Sequence, residues 1–140
     1  RMEQRDGEQA EEYDMPQEEK EKMPEQYEAV SLDDFVEYSQ SMFEYWTEDD
    51  FASSFRKMLT IEQFRSEEMQ KLYQQYLVAG PASYVKALFE SIGIVNAKDK
   101  AARFYAVMHF YYSLYDGAAD KEKVKVEFVS AIKSLVQDLA

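Results

Sequence analysis

The chain contains no cysteine and only one histidine. Disulfides and thiolate metal centres are therefore excluded, and cysteine usage says nothing about redox compartment. Zinc hydrolysis needs more imidazole or thiolate ligands than one histidine supplies. A di-iron bundle site needs Glu-x-x-His pairs, and the residue three before His109 is Ala106. Glycine and proline are scarce, at four and three, too few for the closely spaced turns of an all-β fold. No apolar run reaches the roughly 18 residues of a membrane span, and no signal peptide is visible. Nor is there a nucleophile elbow, a phosphate-cradling glycine loop or a second histidine for a triad. No cofactor is expected, and the default location is the cytoplasm.

Positive charge is also in short supply. Sixteen Lys and Arg face 28 Asp and Glu, a net charge of −12. Such a chain repels phosphate backbones and lacks a basic footprint for DNA. The acidity is uneven: residues 1–30 hold eleven acids and four bases. There, residues 1–13 have helix-forming composition but little apolar face, and Pro16 and Pro24 bracket a charged stretch without a period. Two regions follow: 1–30, the end of a connecting helix and a weakly ordered charged loop, and 31–140, a helical domain.

The pattern from Ser31 onward predicts an all-α, multi-helix bundle of about five to six helices. Ser31 and Asp34 form a capping box. Leu32, Phe35, Val36, Ser39, Met42, Phe43 and Trp46 then recur at spacings of three and four, one face of a helix. Thr47, or one of the acids just after it, begins a second helix; Glu48, Asp49 and Asp50 suit the positive end of its dipole, and its stripe is Phe51, Phe55, Met58 and Leu59. After a break over 61–65, Ser66 caps a third. Its stripe continues in phase past Gly80-Pro81, which predicts one helix bent at Pro81 and ended by Gly93. Residues 98–116 leave almost no polar face, a helix buried on all sides, either central in the monomer or partly in an oligomer interface, with Gly117 as its stop. The last helix runs from about Asp120 to Leu139.

Aromatic residues and methionine are abundant, with eleven Tyr, nine Phe, one Trp and seven Met. Phe43, Trp46, Met58, Tyr73, Tyr76, Tyr105, Met108 and Tyr112 lie on inward stripes of different helices. Each alone reads as core. Together, many tyrosines with adaptable methionine suit a cavity for a largely apolar ligand. His109, among these aromatics, is either a core histidine bonded to a hydroxyl or carbonyl, or a polar anchor in that cavity. The last two helices form a hairpin whose faces exceed what one small monomer buries. A two-fold homodimer through Phe110, Tyr111, Leu114, Phe128, Ile132 and Leu135 answers that surplus; a single monomeric bundle is the alternative.

Three stretches resemble the C-terminal domains of tetracycline-repressor (TetR) type transcription regulators: Phe55-Arg56-Lys57-Met58-Leu59-Thr60-Ile61-Glu62-Gln63-Phe64-Arg65, Leu72 to Leu77 with Gly80-Pro81 following, and Arg103-Phe104-Tyr105 to Ser113-Leu114-Tyr115-Asp116-Gly117. The resemblance covers roughly residues 31–140. It implies a repressor that binds a small effector among its central helices, dimerises through its last two and is released from its operator by the effector, with operator DNA contacted only through an N-terminal helix-turn-helix head that these residues lack. A helical protein-interaction module and a small helical enzyme are the readings from other classes.

Overall fold

The computed structural model describes residues 31–139. The expectations for residues 1–30, and for residue 140, lie outside the described residues. Six helical segments and no strands are found among the described residues: α1 (Leu32–Glu48), α2 (Asp50–Glu62), α3 (Glu67–Leu77), α4 (Ala79–Ser91), α5 (Ala97–Gly117) and α6 (Lys121–Gln137). The fold is an all-α bundle, and none of these helices is long and apolar enough to cross a membrane.

The helix starts follow their capping chemistry. Ser31 Oγ accepts from the Asp34 N–H at 3.1 Å while the Asp34 carboxylate accepts from the Ser31 N–H, so two orphan donors are satisfied reciprocally. Asp49 ends α1 and caps α2 by accepting from the Ala52 N–H at 2.8 Å. Ser66 and Asp120 cap α3 and α6 in the same way. Gly93, at φ +80°, closes α4: the Ile94 N–H reaches the Phe89 carbonyl at 2.9 Å, a left-handed end that favours glycine. The stop of α5 differs from expectation. Gly117 remains helical and Ala118 turns extended; Lys121 Nζ donates to the Tyr115 carbonyl at 2.6 Å and lies over the Tyr115 ring, which satisfies that helix end.

The expected single bent helix over 67–92 is two helices. The chain leaves helical geometry at Val78, φ −134° and ψ −86°, three residues before Pro81. Pro81 has no N–H to offer Leu77, and its ring crowds that carbonyl, so the interruption falls in the preceding turn. At this junction the Gln75 carbonyl oxygen stands 1.8 Å from where a Cβ on residue 80 would sit. Only glycine fits between the two helices; any side chain there would drive α4 away from α3.

Helix α5 is the axis of the fold, in contact with α1, α4 and α6. Phe35 meets Phe104 at 4.8 Å and Phe89 at 5.2 Å. Two turns on, Phe43 meets Tyr112 at 5.5 Å and Phe128 at 4.1 Å. The order is the same along both helices, so α1 and α5 run in the same direction, with α6 returning antiparallel beside them. Within a single chain α5 is not buried on all sides, so only the central-in-the-monomer form of that expectation is corrected here. Ala102, Arg103, Ala106, Phe110, Ser113 and Leu114 face outward, because no helix among the described residues covers that side.

Candidate functional site

A cavity of about 300 Å³ lies where α1, α3, α4 and α5 converge. Helix α1 contributes Tyr38, Met42 and Trp46, one face at spacings of four. Gln75 and Tyr76 come from the end of α3, and Gly80, Pro81, Tyr84 and Val85 from the start of α4. Helix α5 supplies Phe104, Tyr105, Met108 and Tyr112. Seven of these thirteen residues carry aromatic rings. The Val78 break positions the site, since the residues on either side of it form one wall. A larger but more open groove of about 530 Å³ between α1 and α6 has Glu44, Glu122, Lys125 and Lys133 on its walls. It lacks enclosure, and Lys125 there is already held by Glu48 at 2.6 Å, a contact that raises its pKa above the usual lysine value.

Five of the nine residues expected to line a ligand site do line this cavity: Trp46, Tyr76, Tyr105, Met108 and Tyr112. Four stand elsewhere. Phe43 is rotated towards α6 and stacks on Phe128, inside the core. Met58 is half-buried against the core, away from the cavity. Tyr73 and His109 pair with each other, their Oη and Nε2 atoms 3.3 Å apart. His109 sits beside the Tyr105 and Tyr112 rings at 5.8 and 6.3 Å, at the edge of the cavity wall but outside it.

The expected dimer surface needs correction. Phe128 and Ile132 are each 1% exposed within a single chain, because α1 and α5 already cover that face of α6. They have no surface to offer a second copy. Tyr111 is half-buried against Phe128, and Leu135 is also half-buried. Phe110 and Leu114 do face solvent, at 58% and 39% exposure.

Arg56 and Asp116 form a feature that the pattern reading passed over. Arg56 is only 6% exposed. Its Nη1 and Nη2 donate to the two Asp116 oxygens at 2.9 and 2.7 Å, and its Nε donates to the Trp46 carbonyl at 2.9 Å. The guanidinium lies 5.0 Å from the centre of the Tyr112 ring. One side chain thus ties α2 to the ends of α1 and α5, directly behind the Trp46 and Tyr112 walls. The signal was present: Ala52, Phe55, Arg56 and Leu59 fall on one helical stripe, which places a charge among apolar neighbours. Asp116, near the negative end of a helix dipole, also calls for a cation.

The electrostatics of the wall follow from burial. Desolvation pushes the Tyr105 and Tyr112 phenols well above their usual pKa, and neighbouring tyrosines add to it; both stay protonated. Burial, with the Arg56 cation as a second cause, lowers the His109 pKa below its usual 6.5. Tyr73 Oη and His109 Nε2 share one hydrogen bond, whose direction follows the ring's tautomer. A depressed histidine pKa gives stability that is present above about pH 6.5 and is lost as pH falls through the folded-state value. His109 is the only histidine. The urea midpoint should therefore be level above about pH 7 and decline below about 6.5, and His109→Gln should remove the part of that decline lying above the carboxylate range. An unchanged slope in the variant would assign the decline to other groups.

No metal-binding group of three or more His, Cys, Asp or Glu occurs among the described residues. Comparison of the chain with family models, with curated proteins and with solved structures found no match.

Proposed function

We propose that this domain binds a compact, largely apolar small molecule in the cavity between α1, α3, α4 and α5, and that it acts as the effector-binding and dimerisation domain of a TetR-type transcription regulator. The cavity carries this reading. Its volume stands at the lower end of the range for ligand pockets, roughly 300–1,000 Å³. Unfilled volume is unfavourable, at about 1 kcal/mol for each methyl-sized void, so a domain built for stability alone would fill it with aliphatic side chains. The regulator setting is supported by the three stretches that resemble TetR-type domains and by the terminal α5–α6 hairpin. In this proposal a second copy docks on the outward face of α5 at Phe110 and Leu114, and DNA contacts belong to another part of the regulator, since a net charge of −12 opposes them. A partner-protein module is the second reading; Ile61 and Phe64, exposed at the α2–α3 turn, favour it.

The test uses the neutral fluorophore N-phenyl-naphthylamine. Saturable, one-to-one binding is expected, with energy transfer from Trp46, the only tryptophan. Met108→Trp fills the cavity and should abolish binding, while Phe110→Ser, on the outer face, should retain it. Loss with Phe110→Ser and retention with Met108→Trp would move the probe to the surface and favour the protein-interaction module. Sedimentation of wild type and Phe110→Ser checks the dimer: a monomeric wild type at tens of micromolar removes that half of the proposal.

A further inference from the structure

The charge and polarity of the cavity wall narrow its ligand further. None of the thirteen lining residues carries a charge at neutral pH. Among the described residues Arg56 stands against the wall, 5.0 Å from the Tyr112 ring centre, and its Nε, Nη1 and Nη2 each already donate, to the Trp46 carbonyl and to the two Asp116 oxygens. An anion in the cavity would be desolvated against apolar rings with no free cation among the described lining residues to meet it. A cation would gain from the ring faces, but no carboxylate among the thirteen lining residues would balance its lost hydration.

Two buried polar groups point the other way. Tyr105 and Tyr112 are 8% and 3% exposed, and both line the cavity. Among the described residues neither hydroxyl makes a hydrogen bond; their described contacts are made by the rings. A buried phenol without a partner is costly, and these two, held protonated by burial, can donate. Resting on the ligand-pocket reading, we infer that the cavity selects an uncharged ring compound carrying a hydrogen-bond-accepting oxygen, received by the Tyr105 and Tyr112 hydroxyls. The class is that of neutral aromatic ketones, esters and quinones, as against aromatic acids or quaternary amines.

Four compounds on one skeleton test this by calorimetric titration of the full chain: β-acetonaphthone, β-ethylnaphthalene, β-naphthoate and trimethyl(β-naphthyl)ammonium. The ketone should bind most tightly, and the ethyl compound roughly five- to tenfold more weakly for want of an acceptor. Both ions should fall at least about a hundredfold below the ketone. In Tyr105→Phe/Tyr112→Phe the ketone should drop to the level of the ethyl compound, whose own binding is retained and reports an intact cavity. The wild-type ranking decides by itself, whether or not the double variant folds. Equal binding of ketone and ethyl compound, or either ion matching the ketone, overturns the inference. So does failure of all four to bind while N-phenyl-naphthylamine binds; failure of that probe as well removes the pocket reading beneath it.

Discussion

Replacing Phe43 with alanine should destabilise the domain by about 3–5 kcal/mol. Phe43 is almost fully buried and joins α1 to two other helices: it stacks on Phe128 of α6 at 4.1 Å, and in α5 it lies parallel to Tyr112 at 5.5 Å and meets the edge of Tyr115 at 5.9 Å. Truncation loses the transfer free energy of the ring and leaves a void that three rigid helices cannot collapse to fill. Aromatic pairing adds about 0.5–1.5 kcal/mol beyond burial. Thermal unfolding should show the midpoint falling by roughly 15 °C. Phe43→Leu keeps most of the apolar volume and should cost far less. If alanine and leucine cost the same small amount, the stack is not a keystone of the α1–α5–α6 core.

Arg56→Met should cost about 3 kcal/mol, and Asp116→Leu a comparable amount. Each single change strands the other partner's charge. The loss of a buried partner typically costs 3–5 kcal/mol, and the lower end applies because the Asp116 side chain keeps 29% exposure. Arg56→Met also leaves the Trp46 carbonyl without its donor. The double variant removes both charges together and should be less damaging than the sum of the singles, giving a coupling of 1 kcal/mol or more in a double-mutant cycle. Denaturant midpoints for the four proteins measure it. Single-variant losses below about 1 kcal/mol would place the pair with exposed ion pairs of little worth. Because Arg56 braces Trp46 and Tyr112, the same variants should also loosen the N-phenyl-naphthylamine binding expected of the proposed pocket, even where folding survives.

The helices were legible because their signals are local. Ser31 with Asp34, and Ser66 before Glu67 and Glu68, mark starts through bonds that span three residues, and the stripes follow from the helical period alone. What lies opposite a stripe is not local. Met42, Phe43 and Trp46 share one broad apolar face, but roughly 100° of rotation separates Phe43 from Met42, enough to send one to α6 and the other to the cavity. Phe128 and Ile132 read as surplus surface for the same reason: the period shows that they are apolar, not that α1 covers them. Tyr38, at a spacing of four from Met42, was placed to be found as a cavity residue; Gln75 and Gly80 were not, since they reach the site only through the break at Val78. Arg56 and Asp116 stand sixty positions apart, beyond any periodic argument, although each breaks a local rule that invited a question.

The close approach at residue 80 also bears on descent. A chain that keeps the α3–α4 junction cannot exchange Gly80 for any residue with a side chain while the Gln75 carbonyl holds its place 1.8 Å from the Cβ position. Exchanges that preserve Arg56 require an acid at 116, and the reverse. Aromatic and aliphatic core positions, by contrast, drift freely as long as volume is kept. An arginine within an apolar helical stripe, a Gly-Pro step some two dozen residues later, and an acid at the end of the longest described helix therefore form a sparse fingerprint of three fixed points. Distant kin whose cores have wholly diverged should still carry it, and it offers a way to trace the lineage where overall resemblance has faded.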